Sequence, residues 1–324
     1  MERPLVSVAL ITYNHVNFIK AAIESILMQK TNFDYELIIA DDASTDGTSQ
    51  IVFEYQKKYP QIIKVLPTTV NLGGKRNGMR AWKACRGKYI ACLEGDDFWS
   101  YDLKLQKQVD YLEKHKKAVA AAHNVLCIDK DGNPLPEGQA AIPFQKEHKY
   151  GKQEALECAE FGHPSSLILR NFRDILTPEQ WRLFNLSTLN GDFKIGLTLG
   201  MLGYIYYFED TWSCWRKVFT GTSWTAMTYN KNLTKFRCGN YFKAQQYLRI
   251  AFGERIDISH HLKGLLKENV KMALQNWDAE NLYNIKILIV SYIWALRKDS
   301  KKEREVDRKK DTILRYIING SKLN

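Results

Sequence analysis

The chain has 324 residues, 45% of them hydrophobic, and a formal net charge of +11. That is the composition of a globular protein with one large or two smaller domains, and no apolar run reaches the ~18 residues of a membrane-spanning helix. The six cysteines show no CxxC spacing, which argues against a zinc site or disulfide framework and for reduced thiols in a cytoplasmic protein.

The amino terminus, "MERPLVSVALITYN", lacks the ordered basic, apolar and cleavage regions of a signal peptide. Its apolar, branched stretch 5–12 predicts a strand instead. Helical spacing follows over 17–29, then a strand over 35–40, a helix over 45–59, a short strand over 62–67, a helix over 74–85 and a strand over 88–94. This alternation predicts an α/β fold of parallel strands with helices on both faces. Ligands of such sheets bind beyond the carboxyl ends of the strands. Three unusual stretches fall there: "TYN" (12–14), "DDASTDGT" (41–48) and "EGDDFW" (94–99).

Beyond residue 100 the pattern loosens. A helix is expected over 102–115, strands over 118–129, 164–171 and 204–210, a helix over 191–202, and mainly helices from about 225. The apolar helix 285–296 precedes "RKDSKKEREVDRKK" (297–310), with eight basic and four acidic residues. Such a segment can pack on its own domain, join a second copy in a homo-oligomer, or rest on an anionic membrane surface. No nucleic-acid motif accompanies the basic charge, so nucleic acid is not an expected partner.

In "DDASTDGT", Ser44 or Thr45 can cap the next helix and Asp46 suits its positive end. Capping does not explain Asp41 and Asp42, whose carboxylates can accept hydrogen bonds from a nucleobase or ribose. In "NLGGKRN" (71–77), Gly73 and Gly74 allow close backbone approach and Lys75 and Arg76 can face phosphates; taken alone the stretch reads first as a plain helix start, and the P-loop pattern is absent. In "EGDDFW", Glu94, Asp96 and Asp97 repel one another unless a cation joins them, and hard oxygens at a strand end suit Mg²⁺ or Mn²⁺.

The segments "VSVALITYNHVNFIKAAIESILMQ", "ELIIADDASTDGT", "NLGGKRN", "GKYIACLEGDDFW" and "NGDF", in that order, resemble family 2 glycosyltransferases of the GT-A fold. The resemblance is close over 5–115 and looser to about 225. It implies a Rossmann-like, mainly parallel sheet flanked by helices: a catalytic domain over 1–224, with nucleotide-sugar binding in 1–100 and the acceptor side in 101–224, and a helical region over 225–324. It also implies a nucleotide-sugar donor, UDP-linked by expectation, a Mn²⁺ or Mg²⁺ ion, and inversion at the anomeric carbon. The acceptor would be a glycan or lipid-linked saccharide of surface polysaccharide synthesis, at the cytoplasmic face of a membrane.

Carried over by position, Thr12, Tyr13 and Asn14 line the nucleoside pocket. Asp42 bonds the base beside Asp41, Arg76 lies near the nucleotide, Asp96 contacts ribose or sugar, and Asp97 binds the metal. Glu94 stands where the metal motif begins and, with His163, falls on the acceptor or metal side. In "WRKVF" (215–219), Val218 replaces a histidine common in the family, leaving Arg216 for the diphosphate. The catalytic base falls on Asp192, with Glu209, Asp210 and His163 as alternatives.

Two other functions fit less well. A nucleotidyltransferase would carry a glycine-rich first loop, where this chain has "ITYNHVN" (11–17). A non-catalytic nucleotide-sugar binding module would have no need of the metal acids and a base.

Overall fold

The computed structural model describes residues 3–136, 148–157, 162–219, 233–275 and 279–296; the basic run 297–310 lies outside them. Its elements begin with strand β1 (Val6–Thr12), helix α1 (Ile19–Leu27), β2 (Tyr35–Asp41), α2 (Thr48–Lys58), β3 (Ile63–Leu66), α3 (Gly74–Ala84) and β4 (Tyr89–Glu94). These four strands are parallel, in the order β3-β2-β1-β4. The expected alternation is present because β1, β2 and β4 are buried on both faces and so carry continuous apolar runs. On α1, Ile19, Ala22, Ile23 and Ile26 form the helical stripe that seals one face, each fully buried.

The polar Ser7 inside β1 is fully buried. Its hydroxyl donates to Glu36 at 2.6 Å and accepts from the Arg86 and Gly87 amides, which fixes β1, β2 and the approach to β4 together.

Next come β5 (Phe98–Trp99), α4 (Lys104–Lys114), β6 (Ala118–Ile128), β7 (His148–Tyr150), α5 (Lys152–Leu156), β8 (Ile168–Arg170), α6 (Phe172–Ile175), α7 (Pro178–Leu186), α8 (Gly191–Leu202) and β9 (Tyr204–Arg216). Here the sheet becomes mixed. β8 runs antiparallel to β4 and β6, while β9 is parallel to β6 and carries β5 and β7 antiparallel. Two expected strands change their bounds. The first half of 164–171 is a 3-10 turn, Pro164–Ser166, where Pro164 cannot donate to a ladder. The strand from 204 continues through Glu209 and Asp210 to Arg216, with register irregularities opposite His123 and Asn124.

The chain divides into two compact units. The first comprises residues 1–155, 159–177 and 191–227 and holds the sheet. The second comprises 156–158, 178–190 and 228–324. It contains α7 and the helices α9 (Thr234–Phe252), α10 (Ser259–Gln275) and α11 (Ala279–Leu296). The division differs from a single cut near residue 225 because α7 packs with α9, where Gln180 donates to the Ala251 carbonyl at 3.0 Å. Nothing local in the sequence signals that long-range contact. Among the described residues, no helix is long and apolar enough to cross a membrane.

Candidate active site

Register aligns the carboxyl ends of three strands, with Thr12 beside Asp41 and Ile11 beside Glu94. Three loops therefore leave the sheet at one level, and their polar side chains interlock.

The first two loops are stitched together. Asn14 adopts a left-handed backbone, φ 55°. Its amide donates to the Ser44 hydroxyl at 2.9 Å, and its side-chain oxygen accepts from the Thr45 amide at 2.9 Å. The His15 amide donates to the Thr48 hydroxyl and the Val16 amide to Asp46. Asp41, buried, accepts from the amide and hydroxyl of Ser44 and from the Ser49 hydroxyl. Ser44 is thus committed to Asp41 and Asn14 and does not cap a helix, and neither does Thr45. The helix begins later than expected, at Thr48 after Gly47, with Asp46 accepting from the Thr48 amide at 2.9 Å.

Asp42 is 2% exposed. Its two carboxylate oxygens accept the Leu72 and Gly73 amides, each at 2.8 Å, drawing the glycine loop against the strand ends. Asn77 secures the first turn of α3 by donating to the Ala40 carbonyl at 2.7 Å. Tyr13 is half-buried, Thr12 is buried, and Arg76 projects into solvent from that same turn.

The third loop carries the acids. Asp97 is 1% exposed; its Oδ1 accepts the Arg216 amide at 2.9 Å, while its Oδ2 is buried with no hydrogen-bond partner. Asp96 likewise has a buried, unpartnered Oδ1, and its Oδ2 lies 3.9 Å from His15 Nε2. Desolvation, then Asp96 and Asp192, push Glu94 up to about 8. Desolvation, then Asp96 and Glu94, hold Asp97 well above the usual carboxylate range. Gly95 is required between them: a Cβ there would stand 2.6 Å from Thr12 Oγ1 and 2.8 Å from His15 Nδ1.

Behind this loop, Phe98 and Trp99 anchor it. The Trp99 indole donates to the Ser165 carbonyl at 2.9 Å. Lys104, fully buried, lies 4.2 Å over the Trp99 ring and donates to Gln108, and burial pushes it down to about 7. Gln108 in turn donates to the Ala121 and Ser166 carbonyls.

Arg216 acts as a clamp. Its Nε donates to the Asp96 carbonyl and its Nη1 to the carbonyls of Asp129 and Lys130, all at 3.0 Å, with the guanidinium 4.6 Å over Phe18. His163 stacks on Trp215 at 4.5 Å, and its Nδ1 lies 2.8 Å from Ser165 Oγ and 3.8 Å from Asp97 Oδ2. Burial pushes it down to about 3, so the ring is neutral.

Asp192 lies in the first turn of α8. Its side chain is exposed, and desolvation by the surrounding protein pushes it up to about 6. Its charge reaches Glu94, which places it with the third loop.

The acids can take a divalent cation. Two buried oxygens lack partners, and burial favours the protonated forms of Glu94 and Asp97, whose protons a cation would displace. Among the described residues, no group of three or more His, Cys, Asp and Glu could by itself hold a metal. An ion of the Mg²⁺ or Mn²⁺ type needs only one or two carboxylates when substrate phosphates supply the rest.

His15, Trp215 and Ser49 belong to this site although the motifs did not single them out, and Ser44 joins it in a role other than the cap expected of it. Of these, His15 had a visible signal, directly following "TYN".

In a doubly wound sheet, ligands bind in the crevice beyond the carboxyl ends of the strands, where these acidic loops lie. The family model "Glycosyl transferase family 2" matches residues 7–174, and the chain belongs to that family. An uncharacterised protein of Mycobacterium tuberculosis is 42% identical over 195 residues, 58% of this chain and 55% of that one. TuaG of Bacillus subtilis, a glycosyltransferase named for teichuronic acid biosynthesis, is 35% identical over 133 residues, 41% of this chain and 51% of that one. The chain spans about half the length of these relatives. The fold is of GT-A type. The structure of S. aureus TarS residues 1–349 with UDP-GlcNAc superposes with a TM-score of 0.60 at 16% identity, over 90% of this chain and 81% of that one.

Proposed function

We propose that this protein transfers a sugar, with inversion, from a UDP-sugar to a hydroxyl of a surface glycan or its lipid-linked precursor. The observation that carries the reading is the pair of unpartnered buried oxygens on Asp96 and Asp97, in the loop after Glu94, whose carboxyl feels the charge of Asp192. TarS, which shares the fold, binds UDP-GlcNAc, and TuaG is named for a surface polysaccharide; both support a UDP-sugar and a glycan acceptor.

Each residue has a task in this reading. Thr12 and Tyr13 wall the nucleoside pocket, while Asn14 and Asp41 hold its two loops in place. Asp42 positions the glycine loop and bonds the base with its remaining lone pairs. Arg76, exposed and beside that loop, meets the phosphates. Asp97 with Asp96 would hold Mn²⁺ or Mg²⁺, which supplies positive charge for the departing diphosphate. Asp192 removes the acceptor proton as the new bond forms at the anomeric carbon and the bond to UDP breaks. A base near 6 is matched to that work at neutral pH, whereas His163, near 3, is too weak. Neutral His163 and Glu94 line the acceptor or metal side.

A nucleotidyltransferase reading has a specific obstacle. The amides of Asn14, His15 and Val16, where a phosphate cradle would stand, are all bonded to Ser44, Thr48 and Asp46.

The test is UDP release from a panel of UDP-sugars with Mn²⁺. Release of UDP with one sugar and its loss in EDTA support the reading. Release of UMP, or no turnover of any donor that stabilises the protein thermally, contradicts it.

A further inference from the structure

The second unit carries a face that the proposed chemistry does not use. On α11, Asn284 and Leu288 are buried, and Ser291 lies 3.7 Å from the Cys238 thiol of α9. At 100° per residue these three share one side of the helix. The opposite side holds Leu282, Tyr283, Ile289, Val290 and Ile293, all exposed, with Val290 62% and Tyr283 56% exposed. Lys286 lies among them. A soluble helix ordinarily turns such a stripe inward and its polar side outward.

The neighbouring helix α10 repeats the arrangement with charge. Leu262, Leu265, Asn269 and Ala273 form its buried side. Its outward side carries Lys263, Lys267 and Lys271 at i, i+4, i+8, interspersed with Val270 and Leu274, the latter 77% exposed. Among the described residues, none of Lys263, Lys267, Lys271 or Lys286 has an acidic partner. The nearby Glu268 is paired with Arg237 at 3.5 Å. Directly after α11, the sequence carries eight basic against four acidic residues over 297–310.

We propose that the outward faces of α10 and α11 seat this protein on a membrane surface rich in anionic lipid. Apolar side chains enter the headgroup boundary while lysines meet lipid phosphates. Charge decides this occupant over a second copy of the chain. An anionic bilayer supplies the negative charge that these lysines lack among the described residues, and its headgroup boundary takes the apolar side chains. The inference concerns where the protein works and does not depend on the identity of its donor.

Vesicle flotation of the full-length protein tests it. The protein should float with phosphatidylcholine vesicles containing about 30 mol% phosphatidylglycerol and not with phosphatidylcholine alone. The combined change Lys263→Gln, Lys267→Gln and Lys271→Gln should lower the partition coefficient about a hundredfold, from about fivefold per lysine. Ile289→Glu with Val290→Glu should abolish flotation without moving the melting temperature, since both positions are exposed. Should that variant fail to fold, the lysine variant decides alone. Absence of flotation by the wild type, or flotation unchanged in the folded variants, overturns the proposal. So does light scattering that shows a dimer dispersed by Val290→Glu with vesicle binding intact.

Discussion

Asp97 and Arg216 meet through the backbone: the Arg216 amide occupies Asp97 Oδ1 at 2.9 Å and leaves Oδ2 buried without a partner. One oxygen fixes the loop, and the proposed function assigns the other to a cation. Asp97→Asn can keep the first role, because its amide oxygen accepts the same hydrogen bond, and loses the second. The expected result is a melting temperature within about 2 °C of wild type without metal, and no added stabilisation from Mn²⁺ with UDP. A variant that Mn²⁺ and UDP still stabilise fully would remove Asp97 from the cation site.

Gly95→Ala tests the packing of the first loop on the third. Its Cβ would displace Thr12 and His15. Nucleotide affinity should fall about 10–100-fold, the equivalent of about 1–3 kcal/mol of lost polar contact. Unchanged UDP affinity by calorimetry would separate Thr12 and His15 from the nucleotide.

Asp192→Asn retains shape and a helix-start acceptor but cannot take a proton. Donor binding should stay near normal while kcat falls about 10²–10⁴-fold. In the wild type, kcat/KM should rise with pH through about 6, where Asp192 loses its proton, and level above. A variant with wild-type kcat would move the base to another residue.

Glu94 links the site to stability. Its folded pKa of about 8 lies above the ordinary 4.5. The native state therefore binds the proton more tightly, and that stabilisation, complete below about pH 4.5, is lost as pH rises through 8. His123, His163 and Lys104, all shifted down, act with the opposite sign, so the comparison is with Glu94→Gln. Without divalent ions, the wild type should lose stability relative to Glu94→Gln between pH 5 and 8 in urea melts, and Mn²⁺ should shrink the difference. A pH-independent difference would contradict the shift.

The half of the fold built from local alternation was legible in the sequence. Strands β1, β2 and β4 are buried on both faces, so each is a continuous apolar run, and the motif residues fall at their ends. The rest depends on partners distant in the chain. No local pattern brings α7 to α9, or shows that Ser44 would serve Asp41 rather than cap a helix. Arg216 illustrates the limit within the site: its position after "CW" was visible, but its use as a clamp on the Asp96, Asp129 and Lys130 carbonyls appears only once three segments meet. His163 is similar, since its neutrality comes from burial against Trp215.

The most direct test of the central claim is calorimetric titration of UDP into the full-length protein with Mn²⁺ and, separately, with EDTA. If Asp96 and Asp97 hold a cation against the diphosphate, UDP should bind at least about tenfold more tightly with Mn²⁺, and Asp97→Asn should erase the difference. Equal affinity in Mn²⁺ and EDTA for the wild-type protein would contradict it.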